Sequence, residues 1–197
     1  MAIAQSEFIL NADDSIYHLH LKPEHISNYI ITVGDPDRVT NITKYFDRIE
    51  HTVRKREFHT QTGMYKGQKL TVISTGIGTD NIDIVFNELD ALANIDFSTK
   101  TVKKEHTPLT FIRIGTSGAI QPNIPIDSFV ISEMAIGFDN LLHFYDSQHI
   151  QEPEVSNALS DHLNWQHNSL ISPYAVLGDS GLLKACLLYT SPSPRDA

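Results

Sequence analysis

A chain of 197 residues, 41% apolar and 20% charged, has the composition of a globular protein long enough for one substantial core, and none of its apolar runs approaches the roughly 18 residues of a membrane span. A net charge of −9 argues against nucleic-acid and membrane partners, because an acidic field repels both phosphate backbones and anionic lipid. With one cysteine, Cys186, an internal disulfide is excluded, which fits a reducing, cytoplasmic setting; the start "MAIAQSEFIL" has no basic flank and interrupts its apolar residues with Gln5, Ser6 and Glu7, unlike a signal peptide.

From Tyr29, "YIITVGDPDRV" reads as a buried strand stopped at Gly34 and Pro36. A helix follows, with apolar spacing at Val39, Ile42 and Phe46. Next, "REFHTQTGMYKGQKLTVIST" predicts two strands around a Lys-Gly-Gln turn. The second strand ends in "STGIGT", after which Ile82, Val85, Leu89 and Leu92 keep helical spacing. "DFSTKTVKKEHTP" reads as a surface excursion. "LTFIRIGTSGAI" and "DSFVISEMAIGF" read as further strands, and a helix is expected from Pro153 to Leu163. Strands alternating with helices, with glycine turns after strands, predict a single α/β domain with a mixed central sheet flanked by helices, its sites at strand C-terminal ends.

Three arginines and three glycine turns are the candidate chemistry. Gly34 allows close backbone approach and the turn feeds a helix N-terminus, with Arg38 one turn in; the bland alternative is an Asp-Pro turn in which Asp37 caps the helix and Arg38 is solvated. Arg56, in "RKREF", fits an anion contact or a solvated strand edge. Arg113 sits among Phe111, Ile112 and Ile114, where a buried guanidinium needs either an anion or a carboxylate. Gly76 and Gly78 suit an anion nest or a tight connection, and Thr116 and Ser117 add hydroxyl donors. The pair His18 and His20 reads as surface or as a faint metal hint.

The motifs "GDPDRV", "REF", "STGIG" followed by "NEL", and "RIGTSGAIQP" occur in this order between Tyr17 and Ile131. Together they resemble the nucleoside phosphorylase family of the uridine phosphorylase type. The resemblance implies phosphate contacts from Gly34, Arg38, Arg113 and Thr116, with Thr116 also reaching the ribose. It implies that Arg56 is lent to the phosphate, and His18 to the ribose, by a neighbouring subunit of a homo-oligomer. Glu57 matches a residue that in some members helps hold a monovalent cation; Asp80 and Asn81 depart from the family's small residue or proline followed by serine. Inorganic phosphate is the implied co-substrate, with no metal or organic cofactor.

The implied reaction is phosphorolysis of a nucleoside, uridine first, to free base and ribose 1-phosphate. A purine-specific phosphorylase, a nucleosidase of the same fold or a non-catalytic phosphate- or nucleoside-binding fragment are the alternatives. The family's base-reading residues lie in its C-terminal half, and nothing after Gly178 matches them. "KACLLYTSPSPRDA" breaks the pattern. Residues 1–184 are therefore expected to be the N-terminal part of a phosphorylase domain and 185–197 a non-native or disordered tail, leaving the chain catalytically impaired.

Overall fold

The computed structural model describes residues 2–164 and 172–190. The chain divides into two compact units, 1–117 and 118–197. The first is an α/β unit. It begins with β1 (Tyr29–Val33), α1 (Pro36–Thr43), β2 (Arg48–Lys55), β3 (Phe58–Tyr65) and β4 (Gln68–Ser74). It continues with α2 (Thr79–Asn94), the two-residue strands β5 (Ile95–Asp96) and β6 (Thr101–Val102), and β7 (Thr110–Arg113).

Five strands form one sheet in the order β2-β3-β4-β1-β7. β2, β3 and β4 are an antiparallel meander, whereas β4, β1 and β7 run parallel, so the sheet is mixed, as its sequence pattern predicts. The side-chain period of two sorts β1 and β4 between two cores. Ile30 and Ile73 pack with Leu19, Leu21, Phe58, Val85, Leu89 and Leu92, which seats α2 and the N-terminal segment on one face. Val33, Val39 and Val72, with Ile31, Ile42 and Phe46, seat α1 on the other. Of the expected apolar positions of α2, Val85, Leu89 and Leu92 are buried, whereas Ile82 is only half-buried. Phe46 still packs, although α1 ends at Thr43 and the chain turns before reaching it.

The second unit contains β8 (Met134–Gly137), α3 (Pro153–His162), β9 (Tyr174–Leu177) and α4 (Ser180–Thr190). β8 and β9 pair antiparallel. Tyr174 lies across Gly137 and donates to Asp139 at 2.6 Å, so the ring occupies the space that the glycine's missing side chain leaves. Residues 185–190 continue α4, and residues 191–197 of the expected tail lie outside the described residues. Two expectations change. The excursion after α2 contains the β5–β6 pair, and of "DSFVISEMAIGF" only Met134–Gly137 is strand, with Phe129 and Val130 exposed.

Candidate functional site

The three parallel strands deliver their exits to one edge of the sheet. Val33 pairs with Ser74 and Thr32 with Arg113, so the loops that begin at Gly34, Thr75 and Ile114 leave side by side. Backbone bonds hold them there: Thr75 N donates to the Val33 carbonyl at 2.8 Å, and Ile114 N donates to the Thr32 carbonyl at 2.9 Å. A Cβ on Gly34 would stand 3.8 Å from the Gly76 carbonyl oxygen, so the first two glycine turns are in van der Waals reach.

The β2–β3 hairpin tip joins this edge because β3 starts where β4 ends. Ser74 Oγ donates to the Glu57 carbonyl at 2.6 Å and accepts from His59 N at 2.7 Å. Arg56 occupies the tip with φ 55° and is exposed. A Cβ on Gly76 would be 2.9 Å from Glu57 Cγ and 2.6 Å from Asn81 Nδ2; Glu57 and Asn81 therefore flank that turn. Gly76 and Gly78 have φ of 69° and 102°, which is the left-handed territory glycine tolerates.

The two helix N-termini at this edge differ. In α1, Asp35 is the N-cap and accepts from Asp37 N at 2.8 Å, so the cap is Asp35 and not Asp37. Asp37 instead faces Arg54 at 3.4 Å. His59, buried on β3, donates from Nδ1 to the Pro36 carbonyl at 3.0 Å and fixes the start of α1. In α2 the N-cap is Gly78, and no side chain caps it, so the helix presents backbone N–H groups and its positive dipole end.

Arg113 corrects the expectation of burial. β7 is the outer strand of the sheet and Arg113 its last residue, exposed, with the guanidinium folded back so that Nη2 is 3.6 Å from a Cβ position on Gly115. Arg113 makes no buried salt bridge among the described residues. Among the described residues, no carboxylate pairs with Arg38, Arg56 or Arg113. Thr116 follows in the exposed loop after β7. Gly34, Arg38, Arg113 and the Gly76 turn thus belong to one edge, with Arg56 on the adjacent hairpin tip. An anion there would meet an uncapped helix N-terminus and guanidinium groups free to form paired N–H contacts.

His18 lies elsewhere. It sits beside Glu88, nine residues into α2, about 14 Å along the helix from its start. His18 and His20 diverge: His18 Nδ1 contacts Glu88 Oε1 at 2.7 Å, whereas His20 lies 3.4 Å from Asp13. Among the described residues no three or more His, Cys, Asp and Glu side chains are placed so that they could hold a metal ion. His59, Ser74, Asp35 and Glu88 were not assigned roles from sequence. Each acts through a partner 15 or more residues away or, for Asp35, by a local cap that competes with Asp37 for the same turn.

Sequence and shape comparisons place the chain among known proteins. A uridine phosphorylase from Thermococcus kodakarensis is 37% identical over 120 residues, 61% of this chain and 38% of the relative. One from Haemophilus influenzae is 32% identical over 144 residues, 72% of this chain and 51% of the relative. The chain therefore spans about half or less of these relatives' lengths. A Trypanosoma brucei nucleoside phosphorylase, whose crystal structure is described as showing uridine phosphorylase activity, superposes with a TM-score of 0.78 at 29% identity. That match covers 96% of this chain and 65% of the other. The sequence pattern of the Phosphorylase superfamily matches residues 28–187, a span that takes in Gly34, Arg38, Arg56, the Gly76 turn, Arg113 and Thr116; the chain belongs to that superfamily.

Proposed function

We propose that this chain is the phosphate-binding part of a uridine phosphorylase. The observation that carries the reading is the convergence of the β4, β1 and β7 exits, with Gly34, Arg38, Arg113 and the uncapped start of α2 on one edge. Guanidinium groups without carboxylate partners on an acidic protein are what an anion site requires, and several together offset the desolvation of hydrogen phosphate. Thr116 adds a hydroxyl that bridges phosphate and ribose. Arg56 and His18 serve the site of a neighbouring copy in a homo-oligomer, which acts in the cytoplasm.

The chemistry follows from placing that anion beneath the anomeric carbon. The N-glycosidic bond breaks with its electron pair leaving on the base, and C1′ gains oxocarbenium character that the phosphate stabilises. A phosphate oxygen then bonds to C1′. The proton that hydrogen phosphate carries ends on the base, so the products are uracil and ribose 1-phosphate and no cofactor is consumed. Held by fixed N–H donors, the nucleophile meets the sugar without the entropy cost of a free encounter. Uridine is favoured over a purine nucleoside because the relatives with the higher identities act, by name, on uridine.

Titration of the purified chain with inorganic phosphate tests the site. Binding is expected, and Arg113→Ala should weaken it by tenfold or more, on the order of one charge-assisted contact. Equal affinity in the variant would overturn the assignment of the edge. Cleavage of uridine that proceeds at the same rate without phosphate would point to a nucleosidase instead.

A further inference from the structure

Glu88 makes more contacts than a surface helix carboxylate needs. Its Oε2 accepts from Leu19 N at 2.8 Å, its Oε1 accepts from His18 N at 3.0 Å, and the same Oε1 is 2.7 Å from His18 Nδ1. The carboxylate is the less exposed partner, at 13% against 29% for the imidazole. Tyr17 packs edge-on against the ring, with centroids 4.8 Å apart and planes at 84°. Leu19, the next residue, is fully buried. The imidazole is therefore held at one nitrogen, along one edge and through its own backbone.

A carboxylate offers only acceptors. In the neutral imidazole the nitrogen that faces Glu88 must be the one bearing hydrogen, so Nδ1–H donates to Oε1 and Nε2 is left with a lone pair. His18 and Glu88 border an open groove of about 300 Å³ whose other polar lining includes Glu7 and Asp90. Three carboxylates around one groove disfavour an anion there. What suits an acceptor nitrogen on an acidic rim is a neutral donor, and a sugar hydroxyl is such a group.

We infer that Glu88 is a positioning residue: it fixes His18 as the Nδ1–H tautomer and thereby presents Nε2 as a hydrogen-bond acceptor for a ribose hydroxyl rather than as a donor to phosphate. The identity of the hydroxyl rests on the phosphorylase reading; the tautomer does not. Glu88→Gln separates the two duties of the side chain. The amide oxygen still accepts from Leu19 N, so the turn is kept, but the amide NH₂ now donates to Nδ1 and moves the ring proton to Nε2.

Long-range ¹H–¹⁵N spectra of the imidazole rings in the purified chain, at about pH 8 where an ordinary imidazole is neutral, read the tautomer with no substrate present. The expected result is Nδ1–H in the wild type and Nε2–H in Glu88→Gln. An Nε2–H or doubly protonated ring in the wild type, or a tautomer that the substitution leaves unchanged, overturns the inference and leaves the phosphorylase reading standing. Uridine should then perturb Nε2, uracil with phosphate should not, and Glu88→Gln should bind uridine about five- to tenfold more weakly, the worth of one hydrogen bond. If phosphate alone perturbs Nε2, the acceptor role is overturned. If uridine leaves Nε2 unperturbed while the tautomer is as expected, the ribose hydroxyl is overturned as the partner of Nε2 and the positioning of the ring by Glu88 stands.

Discussion

Replacing Gly76 by alanine tests whether the middle turn of the candidate site is as tightly built as its contacts imply. The backbone there has φ 69°, and a side chain in that region costs about 1 kcal/mol. The new Cβ would stand 2.6 Å from Asn81 Nδ2 and 2.9 Å from Glu57 Cγ. To accommodate it, the Asn81 amide must swing away, which removes its 3.2 Å hydrogen bond to the Ile77 carbonyl, and the Glu57 stem must shift at the hairpin tip. An exposed hydrogen bond and a displaced side chain add about 1–2 kcal/mol. The expected total is about 2–3 kcal/mol. Gly67→Ala is the control, because Gly67 has φ 80° and nothing within 4 Å of the added Cβ; it should lose only the backbone part, about 1 kcal/mol. Urea unfolding of both variants measures the difference. If Gly76→Ala is no more destabilising than Gly67→Ala, the crowding around the turn is not what the contacts say it is. Phosphate affinity should fall in Gly76→Ala and stay at the wild-type value in Gly67→Ala.

Acid sensitivity should arise from His25 and His51, whose rings stack at 3.6 Å and 14°. Burial pushes both below the usual imidazole range; for His51 the neighbouring His25 and Lys69 add to it and Glu24 opposes it, and for His25 Lys22 and Lys69 add while Glu24 and Asp13 oppose. Both folded-state values lie below the unfolded 6.5, so the unfolded chain binds more protons in that interval and stability should fall as pH drops through and below 6.5. Urea midpoints against pH check this, and a profile that His51→Gln leaves unchanged would contradict it. Leu89→Ala, at a fully buried position of the larger core, should cost about 2–5 kcal/mol by the same assay; less than 1 kcal/mol would mean that α2 is not seated as described. Asp35→Ala removes the cap of α1 and should cost about 1 kcal/mol, whereas Asp35→Asn, which caps equally well, should cost almost nothing.

Most of the first unit was legible because its apolar residues repeat with a clear period. β1, the β3–β4 hairpin and α2 carry enclosed side chains at most expected steps, Ile82 at the start of α2 being only half-buried, and Lys66-Gly67, with φ of 48° and 80°, supplies the turn that the Lys-Gly-Gln stretch predicts. β2 was not legible. It is the edge strand of the sheet, every second residue from Arg48 to Arg54 faces solvent, and the pairing with β3 shifts between Ile49 and His51, so no alternation of apolar residues announces it. Arg113 misled for a related reason: its apolar neighbours belong to a strand of four residues at the opposite edge, where the last side chain leaves the sheet. "DSFVIS" has strand composition, yet Phe129 is 95% exposed; composition alone does not form a strand without a partner to complete its ladder. Glu88 could be quoted from the sequence as part of a motif, but its purpose depends on a residue 70 positions earlier, and no local pattern carries a contact of that separation.

The contrast between the two helix starts shows how an acidic chain could accommodate the proposed anion site. α1 satisfies its own first turn with the Asp35 carboxylate, which places a negative charge where its dipole would otherwise attract a ligand. In the proposed site that helix would therefore offer a side chain, Arg38, and not its backbone. α2 has only Gly78 at its cap, a residue that brings neither a carboxylate nor a Cβ, and so would offer its N–H groups to the proposed ligand. Gly34 and Gly76 keep the space between the two clear to within van der Waals distance. Backbone donors from one helix and guanidinium groups from its neighbours can then converge on a single anion while net negative charge stays on the remaining surface, where it repels the polyanions that a phosphate site would otherwise attract.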